Sequence, residues 1–320
     1  MARYGTFKHQ GIPLKLDDGC FGEQFFVNGT SGHDGNLGTV PGKAFKTIQK
    51  AIDIQIENAT GLGDKITVFP GTYVEALTGN LSQCDLVGYR AFAVRVQPAA
   101  SHAYSGNLHD ARIAGIMFDS PTTNNLDYAA MRCTSVEDSI IEECLFGKQG
   151  GASENSVGFM LGTYATASTT VKFHRSIFRN NQILANGGGN CFYYGFGMCS
   201  GSGDATNGNS RTMWNSRIED NIIIGSEEGV RLISNYAGNY GTVIQRNLIA
   251  GGPLNHGETL GYGMYFLDDT SVGHEARIFV LDNRIYSDSD AIKGFQPSMT
   301  QGNIVAIGND GQGAPAAETA

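Results

Sequence analysis

The feature that most limits what this chain can fold into is a short pattern that returns at irregular intervals. An apolar residue, two free positions, an Asn or small residue, one free position and a second apolar residue fit Ile113…Ile116…Phe118 and Ile141…Cys144…Phe146. The same pattern fits Phe178…Asn181…Ile183, Ile218…Asn221…Ile223, Ile244…Asn247…Ile249, Val280…Asn283…Ile285 and, more weakly, Thr300…Asn303…Val305. Its centres are separated by 28, 37, 40, 26, 36 and 20 residues. Tetratricopeptide, ankyrin and leucine-rich arrays keep stiffer periods and are excluded. What survives is a coil with a fixed turn and connections of variable length.

A second motif follows most copies: Gly158-Phe159-Met160, Gly197-Met198-Cys199, Gly229-Val230-Arg231, Gly263-Met264-Tyr265 and Ala291-Ile292-Lys293. It reads as a second strand in each coil. Asn181, Asn221, Asn247, Asn283 and Asn303 then form a column at a tight corner, where Asn tolerates the left-handed backbone. Stacked amides would hydrogen-bond from coil to coil. The predicted class is all-β: a single-domain right-handed parallel β-helix with an N-terminal capping helix and an extended N-terminal arm.

The flanks set the boundaries. Residues 1–25 show no steady period and read as the arm; 26–310 form the β-helix; 311–320, rich in Gly, Ala and Pro, form a tail. Phe45, Ile48, Ala51 and Ile52 lie on one face of a cap helix over about 44–58. Lys65-Ile66-Thr67-Val68-Phe69 is a first strand closed by Pro70-Gly71. Asp34 and Asn36, in the Gly/Asn-rich segment 28–38, read as a turn rather than a metal site. Gly at 44 of 320 residues suits a chain of many turns.

Twenty-two basic against 31 acidic residues give a net charge of −9, without a basic cluster, so neither nucleic acid nor an anionic membrane is an expected partner. No apolar run reaches the length of a membrane span, and the start, MARYGTFKHQ, lacks the apolar core of a secretory signal. The six cysteines contain no CxxC pair and read as free core thiols.

The opening block AFKTIQKAID, the segment GDKITVFPGTYVE and the N-x-I coils together resemble the right-handed parallel β-helix superfamily that includes pectate lyases. The resemblance covers about residues 26–310. Members include polysaccharide lyases, hydrolases, epimerases, tailspikes and non-enzymatic phage virion proteins, and fold does not choose among them. Without a signal, and with only about 25 residues ahead of the cap, the chain is most similar to a phage virion β-helix. The resemblance implies a capsid-surface decoration or cement protein, or a short spike, made in the host cytoplasm. It would be a homotrimer bound to capsid or other virion proteins. The alternatives are a polysaccharide lyase or depolymerase, with surface polysaccharide as partner, or a carbohydrate-binding adhesin without chemistry.

In the second strand Met198, Val230, Met264 and Ile292 are expected inward. Cys199, Arg231, Tyr265 and Lys293 then face outward on consecutive coils. Lyases of this fold take the proton alpha to a uronate carboxyl with a basic residue. Arg231, Tyr265 and Lys293 are thus the candidate lyase face, with Glu227, Glu228, Asp268 and Asp269 around it; the other reading is an ordinary solvated face. Asp268-Asp269 and Glu227-Glu228 are adjacent and would point to opposite sides of a strand, which disfavours the paired carboxyls of a glycoside hydrolase. Tyr194, Tyr262 and Phe266 are candidate sugar-stacking rings, or else core or subunit contacts. No cofactor is expected. Ca2+ enters only with the lyase reading; Asp288 and Asp290 are the candidate metal ligands, but Asp288-Ser289-Asp290 lacks the rest of an EF-hand loop and reads as a turn rather than a metal site. The seven histidines show no zinc spacing.

Overall fold

The computed structural model describes residues 7–9, 12–14, 22–59, 61–121, 128–148, 156–163, 171–185, 192–200, 211–234, 239–251, 262–268, 277–286, 292–293, 304–307 and 309–312. Apart from one antiparallel hairpin, Phe7–His9 with Ile12–Leu14, the strands pair in parallel, each with its counterpart one coil away. The architecture is a parallel β-helix.

Each coil contributes four strands, so four ladders run the length of the molecule. In one coil, Ile140–Glu142 lies in ladder A, Leu145–Lys148 in B, Val157–Thr163 in C and Val171–His174 in D. The next coil repeats these as Ile177–Arg179, Gln182–Leu184, Phe192–Ser200 and Arg211–Trp214. Farther along, Ile222–Ser234 serves B and C as one strand, and Asn239–Gln245 serves D and A. The first strand of ladder A, Gln24–Val27, starts just inside the expected arm, and Asp310–Gln312 carries ladder B into the expected tail.

Two corners per coil are tight, one at each end of the ladder A strand. From A to B the corner residues are Glu143-Cys144, Asn180-Asn181, Asp220-Asn221, Arg246-Asn247 and Asp282-Asn283. The first of each pair is left-handed, with φ between 53° and 58°. This corrects the expected geometry: the ladder Asn keeps an ordinary backbone, and the residue before it carries the positive φ. The Asn side chain turns into the coil, 0–1% exposed, while its predecessor points to solvent. Asn221 Nδ2 donates to Asn247 Oδ1 (2.9 Å), and Asn247 Nδ2 donates to Asn283 Oδ1 (2.9 Å). The last rung is also corrected. Asn309 Oδ1 accepts from both Asn283 N and Asn283 Nδ2 (3.0 Å each), so Ala306…Asn309…Gly311 is the repeat. Asn303 lies outside the described residues.

A hydroxyl column escaped the sequence reading. Ser176, Ser216 and Thr242 each stand five residues before a ladder Asn, at the D-to-A corner, and are buried. Ser176 Oγ accepts from Ser139 N (3.1 Å) and Ser216 Oγ from Ser176 N (3.2 Å). Where arginine takes the left-handed corner position, it is held by a neighbour coil: Arg175 forks onto Asp138, and Arg246 onto Asp220 (2.7 Å per bond).

Alternate strand residues fill the interior. Phe118, Phe146, Phe178, Phe196 and Phe159 form a continuous buried stack with centroid separations of 5.0–6.2 Å. Cys84, Cys133 and Cys144 are buried, and burial pushes the Cys144 thiol up to about 12. The helix α1 spans Ile48–Glu57, shorter than expected. Phe45 is extended instead, exchanging bonds with Phe26 O and Asn28 N beside Val27. The start of α1 is closed by Thr47 Oγ1, which accepts from Lys50 N, and by the Glu75 carboxylate, which accepts from Ile48 N (2.9 Å) and Gln49 N (3.0 Å). Asp34 holds the preceding turn through Lys46 N, Thr47 N and Thr47 Oγ1, and Asn36 donates to Ala44 O.

Candidate functional site: the outer face of ladder C

Ladder C is bordered by long connections on both sides. Residues 149–156 and 186–191 lead into it, and 164–170 and 201–210 lead out of it. Ladders B and D adjoin such a connection on one side only, and in these coils A lies between two short corners. Inserts of variable length are where a β-helix can shape a recognition surface without disturbing its core.

The register of ladder C sets the columns. Tyr104, Met131, Phe159, Phe196, Val230, Met264 and Ile292 align as one column, whose described side chains are buried in the core. One residue on, Ser105, Arg132, Met160, Gly197, Arg231, Tyr265 and Lys293 align. Arg231, Tyr265 and Lys293 are therefore brought together by the backbone, as the alternation implied. Cys199 is not their neighbour, since its partner in the preceding coil is Gly162. The repeated triplet is Gly195-Phe196-Gly197 rather than Gly197-Met198-Cys199. The reason is steric: Gly158, Gly195, Gly229 and Gly263 stack at the entrance to the strand. A Cβ on Gly195 would lie 2.5 Å from Ile223 Cγ2 and 2.6 Å from Gly229 O.

Arg231 is the centre of the face. Its guanidinium carbon lies 4.7 Å from the ring centroid of Tyr194 and 5.1 Å from that of Tyr265, a cation between two aromatic faces. Its Nη1 donates to both oxygens of Glu228 (3.1 and 3.2 Å). Tyr262 packs on Tyr265 with centroids 5.6 Å apart, and Tyr193 on Tyr194 at 4.5 Å. Tyr194 and Tyr262 are 3% and 7% exposed and the Arg231 side chain 11%, so these three are largely covered, while Tyr265 is half-buried. On the N-terminal side of this group, Ala129, Val157, Met160 and Tyr194 form a small buried apolar cluster outside the main core.

Phe266 does not belong to this face. It pairs with Leu232, is 3% exposed and sits in the main core, because the strand alternation that turns Tyr265 outward turns Phe266 inward. The side chain of Lys293, and Asp269, Asp288 and Asp290 entirely, lie outside the described residues. No group of three or more His, Cys, Asp or Glu side chains arranged to hold a metal occurs among the described residues. No helix among them is long and apolar enough to cross a membrane.

No family model matches the sequence, and no curated protein matches it. Solved structures match the fold. Pectin methylesterase PemA from Erwinia chrysanthemi is 12% identical over 92% of this chain and 91% of its own, with a TM-score of 0.53. A pectin methylesterase in complex with a hexasaccharide is 11% identical over 92% and 91%, TM-score 0.50. The pectate lyase Pel9A is 12% identical over 94% and 80%, TM-score 0.50. At these identities the likeness is one of fold: this chain shares the parallel β-helix of polysaccharide-acting enzymes.

Proposed function

We propose that the protein is a polysaccharide-binding β-helix and that its ligand lies against the outer face of ladder C. The observation that carries this reading is the Tyr194–Arg231–Tyr265 sandwich, in register on the ladder that both sets of long inserts border. Aromatic edges beside a fixed cation and carboxylate supply apolar contact and directional hydrogen bonds, which sugar recognition requires. The fold shared with pectin-acting enzymes supports the same ligand class.

Binding is favoured over elimination chemistry at Arg231. A general base must give up its own proton first, and the Glu228 carboxylate beside the guanidinium stabilises the charged form. The reading includes no cofactor, and Ca2+ belongs only to the lyase alternative. A second reading is a homotrimeric virion protein, a capsid decoration protein or short spike. Its support is the Phe7–His9/Ile12–Leu14 hairpin, which joins neither large sheet and stands ahead of the coil as an attachment arm would. The two readings are compatible, since a virion surface protein can bind host polysaccharide.

The test is retention on immobilised polysaccharides: polygalacturonate, methyl-esterified pectin, alginate and a neutral glucan. Wild type is expected to bind at least one without shortening it. Tyr265→Ala, with unchanged far-UV circular dichroism, is expected to bind that polymer about tenfold more weakly. Failure of wild type to bind any of the four, or full binding by Tyr265→Ala, refutes the site.

A further inference from the structure

Ladder C carries a second feature at its N-terminal end, three rungs from Arg231. Six half-buried arginines of the described residues, Arg95, Arg112, Arg175, Arg179, Arg217 and Arg231, each have a carboxylate within 3.9 Å. Arg132 is half-buried on the same outer column and has, among the described residues, neither a carboxylate nor a hydrogen-bond partner for its guanidinium. A partly desolvated guanidinium without a counter-charge is costly, in a chain of net charge −9 whose other half-buried arginines among the described residues are paired.

The apolar Met160 is the register partner of Arg132 in the following coil, and donors lie on its other side. Ser105 is its register partner in the preceding coil. His102, 7% exposed, accepts the Ala129 N–H at Nδ1 (3.0 Å), which places its ring proton on Nε2 as a donor. Burial and the nearby Arg132 charge together push the His102 pKa down to about 4, so the ring is neutral at pH 7 and adds a donor without adding a charge. A guanidinium fork with a hydroxyl residue at its register position, on the strand whose Ala129 N–H is held by the His102 imidazole, and with no acidic side chain among the described neighbours, is complementary to an oxyanion.

We propose that Arg132, His102 and Ser105 form a binding site for an oxyanion, a carboxylate or sulfate group. The group is either free in solution or borne by an acidic sugar of the polymer on ladder C. The second source rests on the polysaccharide reading; the first does not. Rungs of about 4.8 Å put Arg132 about 14 Å from Arg231 along the ladder, a span of a few sugar units.

The experiment is calorimetric titration of the full chain at low ionic strength with inorganic sulfate, oligogalacturonate and the fully methyl-esterified oligomer. Each is repeated with Arg132→Gln and Arg132→Lys, and native folding is checked by the urea midpoint. Sulfate and oligogalacturonate are expected to bind wild type, with Arg132→Gln weakening both at least about tenfold and Arg132→Lys falling between. Anion binding is also expected to raise the His102 pKa, read by NMR, because it offsets the Arg132 charge. If sulfate binds through Arg132 but neither oligomer binds more tightly, the anion site stands and the sugar source is refuted. If both oligomers bind equally and Arg132→Gln changes nothing, the polysaccharide reading survives and the Arg132 site is overturned. Absence of sulfate binding together with wild-type behaviour of Arg132→Gln overturns it as well.

Discussion

Asn247→Ala removes the middle of the amide ladder, and its cost can be worked from the bonds. Asn247 Oδ1 accepts from Asn221 N (3.0 Å) and Asn221 Nδ2 (2.9 Å), and Asn247 Nδ2 donates to Ile218 O (2.9 Å) and Asn283 Oδ1 (2.9 Å). The alanine keeps the backbone bond from residue 247 to Asn283 Oδ1, and Asn221 Nδ2 keeps Phe178 O. The backbone N–H of Asn221 loses its partner in a site that is 1% exposed. An orphaned buried donor costs about 1–3 kcal/mol, and the three other lost bonds about 0.5–1.5 kcal/mol each. The expected loss is about 2.5–7.5 kcal/mol, a large part of the roughly 5–15 kcal/mol that stabilises a domain. Urea unfolding followed by circular dichroism measures it as a lower midpoint. A loss below about 1 kcal/mol at unchanged slope would refute the view that the amide column holds the corner.

Three other outcomes are expected. Gly195→Ala drives a Cβ against Ile223 and Gly229 O and should cost at least about 1–3 kcal/mol or prevent folding, whereas Gly42→Ala, with nothing within 4 Å, should leave the urea midpoint unchanged. His102 and His174 are both pushed down to about 4, chiefly by burial. The unfolded chain therefore binds more protons as pH falls from about 6.5 to about 4, and stability should fall across that window, with His174→Gln flattening the decline in urea midpoints. Phe266→Ala should cost about 3–5 kcal/mol in thermal or urea unfolding, as a core truncation does, and a near-neutral result would return this ring to the surface.

Sequence by itself determined the coil. Apolar spacing around Asn181, Asn221, Asn247 and Asn283 is a local property, because the residues that turn inward and the amide that bridges the corner sit within one six-residue pattern. The variable intervals then excluded stiff arrays. The alternation that put Arg231 and Tyr265 on one face is equally local, being a period of two along a strand. Tertiary structure decided what depends on register between coils. A column is a relation among residues tens of positions apart, so a pattern matched two residues out of step, as at Gly197, misplaces every neighbour. For the same reason the weak final repeat at Asn303 gave way to Asn309, and Phe266 moved from the candidate surface to the core. The left-handed residues before each ladder Asn were legible only as φ angles, since Asn180, Arg246 and Asp282 have no common composition. Arg132 had no signal in the sequence at all: an arginine is distinguished by the charges around it, and those are set by the stacking of coils.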